Sequence, residues 1–337
     1  MVKAGGFGRY QCFTLFMMIL SMNGPGLVVY GVAYFELQPP YICTYKVVTE
    51  NPITPAAVGY EEAFFDLDFV APDTYTKSCT YETVCDEKAM DTNLIGYEVD
   101  KNGEFYLDNW IEQMNLYCTP GEAIGVVGAM AFMGCALACF FLPVLGDLYG
   151  RYNVYMMTSL LQLPLYIAAL YTHLLGVTYI VTFYFGVALI GRFTCGFVLL
   201  TESMCNKSKA WVGTALLVGD VVATLYVTFY LRYISVSVKP IIWVGFALNL
   251  FSLIASFWNV ESPAWLVSVG EIEKAIKHVK YIGKFNGVTD LQISNLLPDP
   301  EPEGVTDDTA AGNNHSERRS EDDIIEENPS EDKKPAK

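Results

Sequence analysis

Basic residues are scarce in this sequence: 21 Lys and Arg stand against 37 Asp and Glu, for a net charge of −16. Gripping a phosphate backbone requires a cationic face that displaces counterions. No such face can be assembled here, so no nucleic-acid partner is expected. Histidine is scarcer still, with 3 in 337 residues. Cys79 and Cys85 are spaced too widely for a zinc knuckle and have no histidine nearby, so no metal is expected. No nucleophile–base set is legible, and "GGFG" at 5–8 follows no strand and is not a phosphate loop. The reading is not an enzyme, and no cofactor is implied. Also missing is a small-residue cleavage site after the first apolar run, so residues 1–35 read as a membrane span rather than a leader.

What the chain has in quantity is apolar sequence, 52% of it, with 14% aromatic. A bilayer's hydrocarbon core takes about 20 apolar residues of helix, with backbone groups satisfied inside the helix. Six runs qualify: Phe13–Phe35, Ala123–Leu145, Val154–Leu175, Val177–Leu200, Val212–Leu231 and Pro240–Trp258. All carry Gly or other small residues, as packed membrane helices do. The expectation is an all-α membrane protein with six transmembrane helices. It divides into an N-terminus with the first helix (1–35), an acidic extracytoplasmic loop (36–122), helices two to six (123–258), a cytoplasmic amphipathic helix (259–287) and an acidic disordered tail (288–337).

The positive-inside rule puts both chain ends in the cytoplasm, with Lys3, Arg9, Arg151, Lys207, Lys209 and Lys274 on that side. Arg232 and Lys239 fall outside and count against the assignment. The acidic loop holds Cys43, Cys79, Cys85 and Cys118. Four cysteines allow three pairings, and sequence does not choose among them. On an oxidising face two disulfides are expected. The membrane is most simply the plasma membrane. Cys12, Cys135, Cys139, Cys195 and Cys205 read as small buried apolar residues.

Arg192 and Asp220 are the ionisable residues deepest in spans, where charge normally faces a cavity or a partner. Counted at about 1.5 Å per residue, they lie roughly 14 and 12 Å from the same membrane face. A pair across adjacent helices is therefore expected, either as a static packing element or as part of a substrate cavity that also takes in Thr224, one turn beyond Asp220. "SMNGPG" at 21–26 interrupts span one and brings Asn23 into the same candidate cavity. Either the helix breaks there, as at transporter sites, or Pro25 is a tolerated kink. Gln162 and Asn249 are expected to bond to neighbouring helices.

"GDLYGRY" at 146–152 resembles the loop between helices two and three of the major facilitator superfamily, with Asp147, Gly150 and Arg151 matching and Pro143, Leu148 and Tyr152 departing. "VESPAWLVSVGEIEKA" from 260 resembles the segment after helix six in the organic cation, anion and carnitine transporters, solute carrier family 22. Glu261, Ser262, Pro263, Trp265, Leu266, Gly270 and Ala275 match. "GRF" at 191–193 and "TE" at 201–202, with Glu202, resemble that family's fourth helix. The resemblance implies a major-facilitator half-bundle, with Asp147, Gly150, Arg151 and Glu202 at a cytoplasmic gate or turn. It also implies transport of small organic ions or metabolites held between two halves at mid-bilayer. Six helices make one half. The expectation is that a second half or a homodimer partner completes the transporter. The alternatives left open are a non-transporting scaffold or regulator, or an inactive truncated product.

Overall fold

The computed structural model describes residues 6–46, 74–85 and 93–288; the acidic tail and part of the outer loop lie outside them. Six long helices cross the bundle: α1 (Arg9–Val29), α5 (Gly121–Tyr149), α6 (Arg151–Tyr171), α7 (Leu175–Glu202), α8 (Asn206–Tyr233) and α9 (Lys239–Ser256). Each is long and apolar enough to span a bilayer. The chain is an integral, multi-pass membrane protein. A short helix α2 (Val32–Phe35) extends α1 beyond a break at Tyr30–Gly31.

α1 and α7 are the most buried spans, while α5 and α8 are the least. α7 closes on α5 through paired glycines. A Cβ on Gly134 would run into the Phe183 carbonyl oxygen, and one on Gly186 into the Ala131 carbonyl oxygen. Glycine here lets two backbones touch, the usual device where lipid supplies no hydrophobic drive. α5 turns outward Phe132, Phe140 and Phe141, and α8 turns outward Val218, Leu225 and Phe229.

The loop between α1 and α5 is more than irregular chain. Strands β1 (Tyr41–Lys46), β2 (Thr74–Cys79) and β3 (Leu94–Val99) form an antiparallel sheet in the order β2-β1-β3. Tyr41, Cys43 and Tyr45 point inward on alternate residues of β1. The ring of Tyr45 stacks on that of Tyr75 at 5.4 Å. Cys43–Cys79 clamps β1 to β2, and Cys85–Cys118 ties α3 (Tyr81–Cys85) to the segment entering α5. The pairing that sequence left open is thus settled. α4 (Trp110–Gln113) seats this domain on the bundle, where Asn109 Nδ2 donates to the carbonyls of Tyr34 (3.1 Å) and Leu37 (2.6 Å). Arg232, which spoke against the orientation, pairs with Glu104 of the loop at 3.0 Å.

After α9 the chain forms α10 (Pro263–Ser268) and α11 (Ile272–Phe285), two pieces rather than one helix. Gly270, at φ +81°, makes the turn between them. α11 is tucked against the start of α1. Tyr10 N–H donates to Asn286 Oδ1 at 2.9 Å, and the Tyr10 and Phe13 rings meet Phe285.

Candidate functional site

Two groups of candidate residues come out differently. The first is at the α10 end of the bundle. Gly150 sits at φ +98°, a conformation that side-chain-bearing residues avoid. It lets α6 begin immediately after α5. A Cβ there would strike the Glu261 carboxylate. That carboxylate accepts from Tyr152 N–H (3.0 and 3.2 Å), an orphan donor at the start of α6, and from Ser262 N–H (3.0 Å) just before α10. Arg151 Nη2 bonds Asp147 at 2.9 Å and Glu202 at 3.4 Å. Trp265 Nε1–H donates to the Asp147 carbonyl at 2.8 Å, and Ser262 caps α10, with Pro263 at its first position. The two motifs, far apart in sequence, are one structure linking α5, α6, α7 and α10.

The second group is Arg192 and Asp220, and here the expected pair is not formed. Among the described residues no ion pair involves either side chain. Matching depth did not make them partners because α1 stands between α7 and most of α8. Arg192, fully buried, turns to α1 and α9 instead. Its Nη1 donates to the Ser21 carbonyl at 2.9 Å and to Asn249 Oδ1 at 2.5 Å. The Ser21 carbonyl is free because residue 25 is proline, which has no N–H to give the oxygen four residues back. α1 does not break at "SMNGPG": it runs through Pro25 to Val29. The kink reading describes the backbone, and its freed carbonyl is what holds the arginine.

Asp220 belongs to the α1–α8 seam. Tyr30 O–H donates to its Oδ2 at 2.8 Å. One turn outward, Tyr34 and Thr228 hydroxyls meet at 3.2 Å. Thr224 lies exposed between those two contacts. Asn23 Nδ2 donates to the carbonyls of Ile19 (2.8 Å) and Gly219 (2.9 Å), joining the same two helices beside Asp220. Asn23, Asp220 and Thr224 are therefore brought together, and Arg192 is not among them. Beside the seam is an apolar cleft of about 230 Å³, lined by Ile19, Asn23 and Leu27 of α1, Val222 and Tyr226 of α8, and Val244 of α9. Sequence reading overlooked Tyr30 and Tyr34. Their four-residue spacing on the outer half of span one was the available signal. Asn249 bonds to neighbouring helices as expected, its Nδ2 donating to the Ser159 carbonyl at 3.1 Å. Gln162 does not: neither amide atom has a partner among the described residues.

Sequence comparison places these residues in context. No family profile matches the chain. It is 24% identical over 307 residues to organic cation transporter 1 of Caenorhabditis elegans, covering 88% of this chain and 50% of that protein. With solute carrier family 22 member 2 of Rattus norvegicus it shares 25% over 325 residues, covering 88% of this chain and 57% of the relative. The organic cation/carnitine transporter 2 of Homo sapiens is 25% identical over 196 residues, 58% of this chain and 35% of that protein. The chain's relatives are solute carrier family 22 transporters. The similarity to these relatives covers most of this chain, well beyond the short motifs. The chain spans about half the length of the first two of these relatives.

Proposed function

We propose that this six-helix unit forms the solute-binding half of a membrane transporter for small organic cations, its cavity face completed by a second six-helix half. The observation that carries the reading is the Asp220 carboxylate. It is half-buried in the middle of a span, hydrogen-bonded to Tyr30, and without a cationic partner among the described residues. An acid at that depth is costly unless something positive visits it. Tyrosine rings alongside suit an organic ammonium, which binds over aromatic faces. The names of two of the relatives, both organic cation transporters, point to the same chemistry. Tyr30 orients the carboxylate, Asn23 fixes α1 against α8 beside it, and Thr224 and Thr228 supply hydroxyls on the same face. The disulfide-bearing sheet suits an oxidising exterior, which supports a plasma-membrane location with the Asp147–Arg151–Glu202 turn inside.

Uptake of tetraethylammonium by cells expressing the protein, corrected for surface amount, tests this. An ion pair or charged hydrogen bond lost to the solute costs about 1.5–3 kcal/mol, so Asp220→Asn should cut the apparent affinity about 10- to 100-fold. Asp108→Asn, in the outer domain, should leave it alone. Uptake that depends on the protein yet is indifferent to Asp220→Asn would exclude this residue as the cation site.

A further inference from the structure

The buried guanidinium of Arg192 has only part of its hydrogen bonding met. Nη1 serves Ser21 and Asn249, while Nε and Nη2 have no partner. Two other fully buried side chains share that shortage: the Gln162 amide, at both atoms, and the Tyr166 hydroxyl. The helices that carry these groups pack on one another. Ser159, Gln162 and Tyr166 follow one another along the inner stripe of α6, and Ser159 is joined to Asn249, which is joined to Arg192. The Tyr166 hydroxyl lies where a Cβ on Gly24 of α1 would be 3.1 Å away and one on Gly245 of α9 would be 3.4 Å away. Four helices, α1, α6, α7 and α9, thus surround a positive charge that has no carboxylate partner among the described residues. Asp220, the acid deep in a span, lies on the α8 side of α1, where Tyr30 donates to it.

We propose that this buried polar cluster binds a small monovalent anion, with chloride as the simplest. Buried polar groups left without protein partners imply a water or an ion, and the inventory here favours the ion. The unspent donors are Nε–H and Nη2–H of Arg192, the Tyr166 O–H and the amide N–H of Gln162. Among the described residues the acceptors beside them are the Gln162 oxygen and the Tyr166 hydroxyl oxygen, neither of them charged. Water would satisfy the donors but leave the charge uncompensated at a depth where that is costly. An anion does both, compensating the guanidinium locally. The site stands apart from Asp220, so it does not rest on the cation reading.

The test is thermal unfolding of the purified full chain in detergent, in chloride and in gluconate at equal ionic strength. Chloride should raise Tm saturably by about 3 °C or more, as a ligand selective for the folded state does. Tyr166→Phe, which removes one donor and keeps the ring, should shrink the chloride increment. The double variant Gln162→Leu/Tyr166→Phe should abolish it. Equal Tm in the two salts would overturn the proposal and leave water in the cluster. So would a chloride increment that Tyr166→Phe leaves at full size, since that is a general salt effect. Should the double variant fail to fold, the single variant and the saturation curve of the wild-type chain still decide the matter.

Discussion

Ser21 and Arg192 are 171 positions apart, yet one explains the surroundings of the other. Proline at 25 strips an N–H from the helix, the Ser21 oxygen goes unpaired, and a buried arginine takes it. The signal was legible in "SMNGPG", since the carbonyl that a proline frees is always four residues back. Which helix would answer it was not legible, because depth along a span says nothing about which neighbour stands beside it. A second residue with a consequence is Glu36, just beyond the first span. Its carboxylate lies against Gly128 of α5, with Oε1 buried and unbonded. Burial lifts its pKa from the ordinary 4.5 to about 7. The folded protein therefore binds more protons than the unfolded chain between those values, and stability falls as pH rises through that window. Glu36→Gln removes the penalty. Its Tm should match the wild type near pH 4.5 and exceed it increasingly toward neutral pH, levelling off above about pH 8. An advantage independent of pH would contradict the burial argument.

Among the elements, the helices were the part most open to reading. Six apolar runs became six spans with ends moved by a few residues, because the bilayer's thickness dictates their length. The outer sheet was missed. Its strands are short, β1 and β2 are rich in Tyr and Thr rather than aliphatic, and the two are held by ring contacts and by a disulfide that bridges a long stretch of chain. No short window of sequence carries that information. The surface helix after span six was also drawn as one piece, and Gly270 divides it. Packing of α5 on α7 has a direct test. Gly134→Leu forces a side chain into the Phe183 backbone, and overpacking of this kind costs about 1–3 kcal/mol or more. The detergent-solubilised variant should unfold several degrees earlier or fail to accumulate. Gly125→Leu, where nothing is near, should behave as the wild type. Equal Tm for all three would mean that the two helices do not approach as described.

At the scale of the molecule, the polar chemistry separates into three layers. One end carries the Arg151, Glu202 and Glu261 network, the opposite end the disulfide-bonded domain, and between them lie Asp220 on one side of α1 and Arg192 on the other. The motifs had indicated the first layer and the cysteines the second. The separation of the two mid-span charges came only from the fold, and it changes the functional reading: an arginine–aspartate pair would have neutralised the carboxylate, whereas a lone aspartate beside tyrosines is free to meet a cation. The most direct test of that claim is equilibrium binding of tetraethylammonium to the purified chain by titration calorimetry. Saturable binding by the wild-type protein, weakened about tenfold or more by Asp220→Asn and to a lesser degree by Tyr30→Phe, is the predicted result. Binding that Asp220→Asn leaves unchanged, or none at all by a folded wild-type chain, would contradict it.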